Sequence, residues 1–61
     1  MINVRDFLKC VDINEVIFKI NDNYYDAEGL YHYYTNDELF YLKIVHIYLD
    51  PNDMIMVVAE W

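Results

Sequence analysis

The spacing of apolar positions changes several times along the chain, and each change predicts a new element. Val4, Phe7, Leu8 and Val11 follow the i, i+3, i+4, i+7 stripe of an amphipathic helix, with Asn3 placed to cap it and Arg5, Asp6 and Lys9 off the stripe. The helix ends near Cys10 or Val11, and Asp12, Ile13 and Asn14 read as a loop. Residues 15–20, EVIFKI, then alternate. Val16, Phe18 and Ile20 share one face of a strand and Glu15, Ile17 and Lys19 the other. Asn21, Asp22 and Asn23 form a turn cluster, and a second strand starting at Tyr24 pairs back on the first. Residues 26–29 interrupt it, with Gly29 at a bulge or turn, and residues 30–34, LYHYY, continue as strand or as an irregular aromatic segment. Thr35 followed by Glu38 is a capping box, which opens a helix of one or two turns through about Tyr41.

Residues 42–61 read as a β-hairpin, two apolar runs joined by Asp50-Pro51-Asn52-Asp53, with the proline at the second position of a type I turn. If Leu49 pairs with Met54, one face carries Val45, Ile47, Met56 and Val58 and the other Ile44, His46, Tyr48, Val57 and Trp61. Neither face is polar, whereas a sheet with one solvated side should alternate. The expectation is that Val45, Ile47, Met56 and Val58 meet the first helix through Phe7 and Leu8. Ile44, His46, Tyr48, Val57 and Trp61 then form a surface for self-association. The element order is helix, strand, strand, short helix, strand, strand. That order predicts one α+β domain over residues 1–61: a small antiparallel sheet of about four strands with short helices on one face.

Size makes the apolar content informative. A chain of 61 residues buries only about 60% of its unfolded surface. The single cysteine allows no internal disulfide, and Cys10, at the end of an amphipathic helix, reads as a buried structural residue. Yet 57% of the residues are apolar or aromatic, seven of them tyrosine. That excess predicts a homo-oligomer, a dimer in the simplest case. The formal charge is −7, from eleven acidic and four basic residues. It excludes direct binding to nucleic acid or to anionic membranes and favours a basic protein partner. Arg5 and Asp6 break any early apolar run, so no signal peptide is expected and the cytoplasm is the expected compartment.

Candidate chemistry is sparse. The chain has no serine and no glutamine, and Thr35 is engaged in capping. Neither His32 nor His46 is placed by the sequence beside Cys10, so no catalytic residues are assigned and the protein reads as non-enzymatic. An EF-hand register centred on Gly29 puts Tyr24 and Thr35 at positions that need acids. No metal or other cofactor is therefore expected. The stretch that stands out is residues 22–41. It holds Asp22, Asp26, Glu28, Asp37 and Glu38 without a lysine or arginine, interleaved with Tyr24, Tyr25, Tyr31, Tyr33 and Tyr34. Carboxylates can engage arginine and lysine while tyrosine rings pack on their stems, the reverse image of a nucleic-acid-binding surface. These ten residues are the expected partner-binding set.

The runs N-V-R-D-F-L, E-V-I-F-K-I and K-I-V-H-I-Y…M-I-M-V-V are similar to those of small proteins of Firmicute phages and mobile elements. In size, acidity and aromatic content the chain also resembles phage anti-defence inhibitors, including anti-CRISPR proteins. That resemblance implies a stoichiometric binder that blocks a host defence or nucleic-acid-handling protein by steric and electrostatic occlusion. It carries over no individual residue. The alternative is a homo-oligomeric structural or regulatory protein with no inhibitory role.

Overall fold

The computed structural model describes residues 2–10 and 15–61. The expectations for Val11 and for Asp12, Ile13 and Asn14 fall outside the described residues. Among those described, three helices and four strands follow in the order α1 (Val4–Cys10), β1 (Val16–Ile20), β2 (Asn23–Tyr25), α2 (Ala27–Tyr33), α3 (Asn36–Tyr41), β3 (Lys43–Leu49) and β4 (Ile55–Glu60). The class is α+β with the helices on one face of the sheet.

Local signals explain most element starts. Asn3 caps α1: its Oδ1 accepts the Asp6 N–H at 2.8 Å. The capping box of α3 is closed in both directions, Glu38 N–H to Thr35 Oγ1 at 3.2 Å and Thr35 N–H to Glu38 Oε1 at 2.8 Å. Asn21 and Asp22 both take left-handed backbone angles, φ 51° and 67°. Asparagine and aspartate tolerate that region, and two such residues make the tight turn whose twist suits a hairpin.

The segment after β2 departs from expectation. Residues 26–34 are not an interrupted strand but a capped helix. Asp26 is its N-cap and accepts the Gly29 N–H at 2.6 Å, while Ala27 and Leu30 bury one side of α2. Gly29 therefore sits in the first turn of a helix rather than at a bulge, where a Cβ would lie 3.1 Å from the capping Asp26 Oδ1.

The strand order is β2-β1-β4-β3. Both sequence-local hairpins are antiparallel as expected, but β1 and β4 join them side by side in parallel, from Val16 opposite Ile55 to Ile20 opposite Ala59. The sheet is thus mixed. A parallel neighbour needs a long crossover, and β2, α2, α3 and β3 supply it. As a central strand β4 is apolar on both sides, which accounts for the missing alternation in its sequence.

Two insertions set the faces of the β3–β4 hairpin. Asp53 takes φ 62° after the type I turn, and Asp50 N–H bonds Met54 O at 3.0 Å. Leu49 consequently pairs with Ile55 rather than Met54, and a register shift between Ile44 and His46 leaves Val45 as an extra residue. Ile44, Ile55, Val57 and Ala59 join Val16, Phe18 and Ile20 beneath Val4, Leu8, Ala27, Leu30, Leu39 and Leu42 in the core. The expected face assignment is corrected accordingly. Val57 and Ile44 are core residues and not self-association residues, while Met56 and Val58 lie on the open face and not against α1. Met56 is still 7% exposed, because it runs between Ile17 and Tyr48 in register.

Before β3 the chain adds a short partner to its free edge. Val4 N–H bonds Leu42 O at 2.9 Å and Ile44 N–H bonds Ile2 O at 3.0 Å. Only the beginning of β3 is covered in this way among the described residues.

Candidate functional site

The end of β4, strand β2 and helix α2 bring four aromatic rings into one chain of contacts. Tyr25 lies 5.7 Å from Tyr33 and 5.6 Å from Tyr34, and Tyr34 lies 5.8 Å from Trp61, ring centre to ring centre. These are edge or tilted geometries, the favourable ones for aromatic pairs. Tyr34 closes α2, its N–H bonding Leu30 O at 2.9 Å, and its hydroxyl donates to the Tyr25 hydroxyl at 3.4 Å. The inner pair is half-buried, but Tyr33 is 70% and Trp61 55% exposed. His32 adds an edge-on contact to Tyr33 at 5.7 Å.

Burial pushes the Tyr34 phenol up to about 12 from its ordinary 10.0, with further contributions from the Tyr25 hydrogen bond, from charge on Tyr25 and from the Glu38 carboxylate. The neutral phenol is therefore the form the fold prefers. Its stabilising contribution is whole below pH 10 and is lost as pH rises through about 12. An absorbance titration is expected to show a late tyrosine phase near pH 12. Urea stability should fall across the same interval, and Tyr34→Phe should remove the late phase. A titration with no phase near pH 12, or with one that Tyr34→Phe leaves in place, would contradict this geometry.

The carboxylates of residues 22–41 are all exposed, and several also hold structure. Asp26 caps α2, Glu28 sits in its first turn, and Asp37 and Glu38 occupy the first turn of α3. Asp22 stands on the β1–β2 turn 4.0 Å from Lys19 Nζ, and the same ammonium lies 5.9 Å from the Tyr24 ring. Such a surface pair is worth little and leaves Asp22 free to exchange partners. A shallow groove of about 220 Å³ lies beside it, lined by Lys19, Asn21, Asp22, Val58, Ala59 and Glu60. Tyr31 is exposed on α2 outside the ring cluster.

The expected partner-binding residues thus lie on β2 and its turn, α2 and the start of α3. Trp61, expected from sequence in the self-association surface, lies against Tyr34 and stays exposed. His46 and Tyr48 lie on the open face of β3 with their rings 5.2 Å apart. A second aromatic pair was not among the expected site residues: Phe40 and Tyr41 lie 5.4 Å apart on α3, with the Arg5 guanidinium 4.4 Å above the Phe40 ring. Tyr41 lies within the tyrosine-rich stretch of residues 22–41, but its ring contact with Phe40 has no signal in the sequence. Cys10 is exposed, which corrects its reading as a buried residue, because the buried positions of α1 are Val4 and Leu8.

Among the described residues no three histidine, cysteine, aspartate or glutamate side chains are grouped so as to hold a metal ion, and no helix is long and apolar enough to cross a membrane. Comparison with family models, with curated proteins and with solved structures finds no match to the chain.

Proposed function

We propose that this protein is a non-enzymatic binding module that occupies a basic surface of a second protein, as a phage-derived inhibitor of a defence or nucleic-acid-handling protein would. The observation that supports this reading is the exposed carboxylates and tyrosines of β2 and its turn, α2 and the start of α3. They include Asp22, Tyr24, Glu28, Tyr31, Tyr33 and Asp37, from a stretch without a lysine or arginine. Arginine and lysine side chains of a partner would lay their stems on the rings and their charges on the carboxylates. Such a contact blocks the groove that a phosphate backbone would otherwise enter.

The test is capture from a bacterial lysate with the wild-type chain and with the triple variant Asp22→Asn, Asp26→Asn, Glu28→Gln. Asparagine caps helices about as well as aspartate, so α2 survives the change. The expected result is a basic captured protein whose affinity falls by about tenfold or more in the variant and declines as salt rises. Capture that is indifferent to both the substitutions and the salt would overturn the proposal.

One observation favours a second reading, a homo-oligomeric structural or regulatory protein. The open face of the sheet carries Ile17, Met56, Val58 and Tyr48 with no helix over it among the described residues. On that reading the triple variant keeps its biological effect and its oligomeric state.

A further inference from the structure

Strand β3 ends the sheet. Its first residues are paired outward by residues 2–4, and the remainder is not paired on that side by any described residue. Antiparallel ladders alternate between pairs that exchange hydrogen bonds and pairs that do not. Asp50 N–H bonds Met54 O, so Tyr48 with Met56 and His46 with Val58 are the bonded pairs that follow. Ile47 and Leu49 fall between them and aim their N–H and C=O groups away from β4. The side chains over this stretch are exposed as well, Ile47 by 49% and Leu49 by 65%.

Proteins usually blunt such an edge with lysine, proline or a bulge. Here the bulge at Val45 lies before the free stretch, Pro51 lies after it, and Lys43 falls in the covered part. Residues 46–49, HIYL, carry none of these devices.

We propose that the free edge of β3 pairs antiparallel with the same edge of a second copy, about a two-fold axis at Tyr48. This register sets Ile47 opposite Leu49 of the second copy and Leu49 opposite its Ile47, so every free N–H on the edge meets a free C=O. The paired side chains match in kind. Ile47 lies against Leu49 on the helix side of the sheet, Tyr48 lies against Tyr48 on the open side, and His46 comes beside Asp50. A cross-strand aromatic pair and a histidine–carboxylate neighbour both favour the contact. Charge favours a second copy at this place. Residues 46–49 hold no carboxylate, lysine or arginine, Asp50 of each copy comes beside His46 of the other, and β2 and the Asp22 turn stand at the opposite edge, three strand spacings or about 14 Å away. That separation exceeds the screening length of about 8–10 Å, so the carboxylates at the Asp22 turn add little repulsion to this contact. The acidic tyrosine surface lies elsewhere, and this inference does not rest on its role.

A contact of this size is below the ~800 Å² per partner of a standard interface, so a reversible, concentration-dependent dimer is expected. Sedimentation velocity over a dilution series, with amide hydrogen exchange at low and high concentration, tests it. The wild-type chain should pass from monomer to dimer. Exchange at Ile47 and Leu49 should slow with concentration by about tenfold or more, while Tyr48 N–H, already bonded to β4, should not respond. Ile47→Pro removes an outward donor without touching the β4 ladder and should stay monomeric with an unchanged circular dichroism spectrum. Ile47→Lys should do the same and serves if the proline variant fails to fold. A chain that is monomeric at every concentration overturns the proposal. So does a dimer that survives both substitutions, one that is lost only with Ile17→Lys on the open face, or a free monomer whose edge is protected only by a strand of another protein.

Discussion

Val57→Glu is expected to abolish folding, while Val58→Glu, one residue further on, is expected to change stability by less than about 1 kcal/mol. Val57 is fully buried on the central strand, between Phe18 of β1 and Ile47 of β3. A carboxylate there has no partner, and the effective cost of burying an unpaired ion is several kcal/mol. A core of this size supplies only about 3–5 kcal/mol in total. Val58 points to the open face, in register with Lys19 on one side and His46 on the other. A glutamate there reaches water and gains a basic neighbour. Far-ultraviolet circular dichroism of the two variants decides the matter. The reverse outcome, with the Val58 variant unfolded and the Val57 variant native, would restore the Leu49–Met54 pairing and exchange the two faces of β4.

Phe18→Ala should have the second largest effect. Phe18 is fully buried at the middle of β1 and meets Phe7 edge to face, with ring centres 6.0 Å apart. Removing a buried phenylalanine ring costs about 3–5 kcal/mol, and the lost aromatic pair adds about 0.5–1.5 kcal/mol. The sum matches or exceeds what a domain of this length has to lose. No cooperative urea transition should remain in this variant at room temperature. Phe7→Ala, at a half-buried position, should retain a transition at a lower midpoint. An unchanged midpoint for Phe18→Ala would mean that α1 does not pack on β1 as described.

Elements with local chemistry were legible from sequence, and elements that depend on distant partners were not. Thr35 and Glu38 announce α3 because each satisfies the other's backbone across a single turn. Asn21 and Asp22 announce a hairpin because few other residues accept their backbone angles. Helix α2 was hidden because its apolar positions, Ala27 and Leu30, sit among tyrosines whose preference for strands dominates the reading. Its cap, Asp26, is followed three residues later by Gly29, so no reciprocal box marks the start. The parallel β1–β4 pair has no local signal beyond the apolar character of both sides of β4. The hairpin faces turned on the left-handed Asp53 and the extra Val45, and hydropathy periodicity registers neither. The candidate site divides in the same way. Tyr25, Tyr33 and Tyr34 stood out by composition, but their union with Trp61 depends on β4 ending beside α2.

The position of β4 between β1 and β3 also constrains how the chain can be made. During synthesis β1, β2, the helices and β3 all emerge before the strand that joins them. Until then the β1–β2 hairpin and β3 share no backbone pairing, and each leaves open the edge that β4 will occupy. Until β4 is in place, both of those edges are open to strands of other chains.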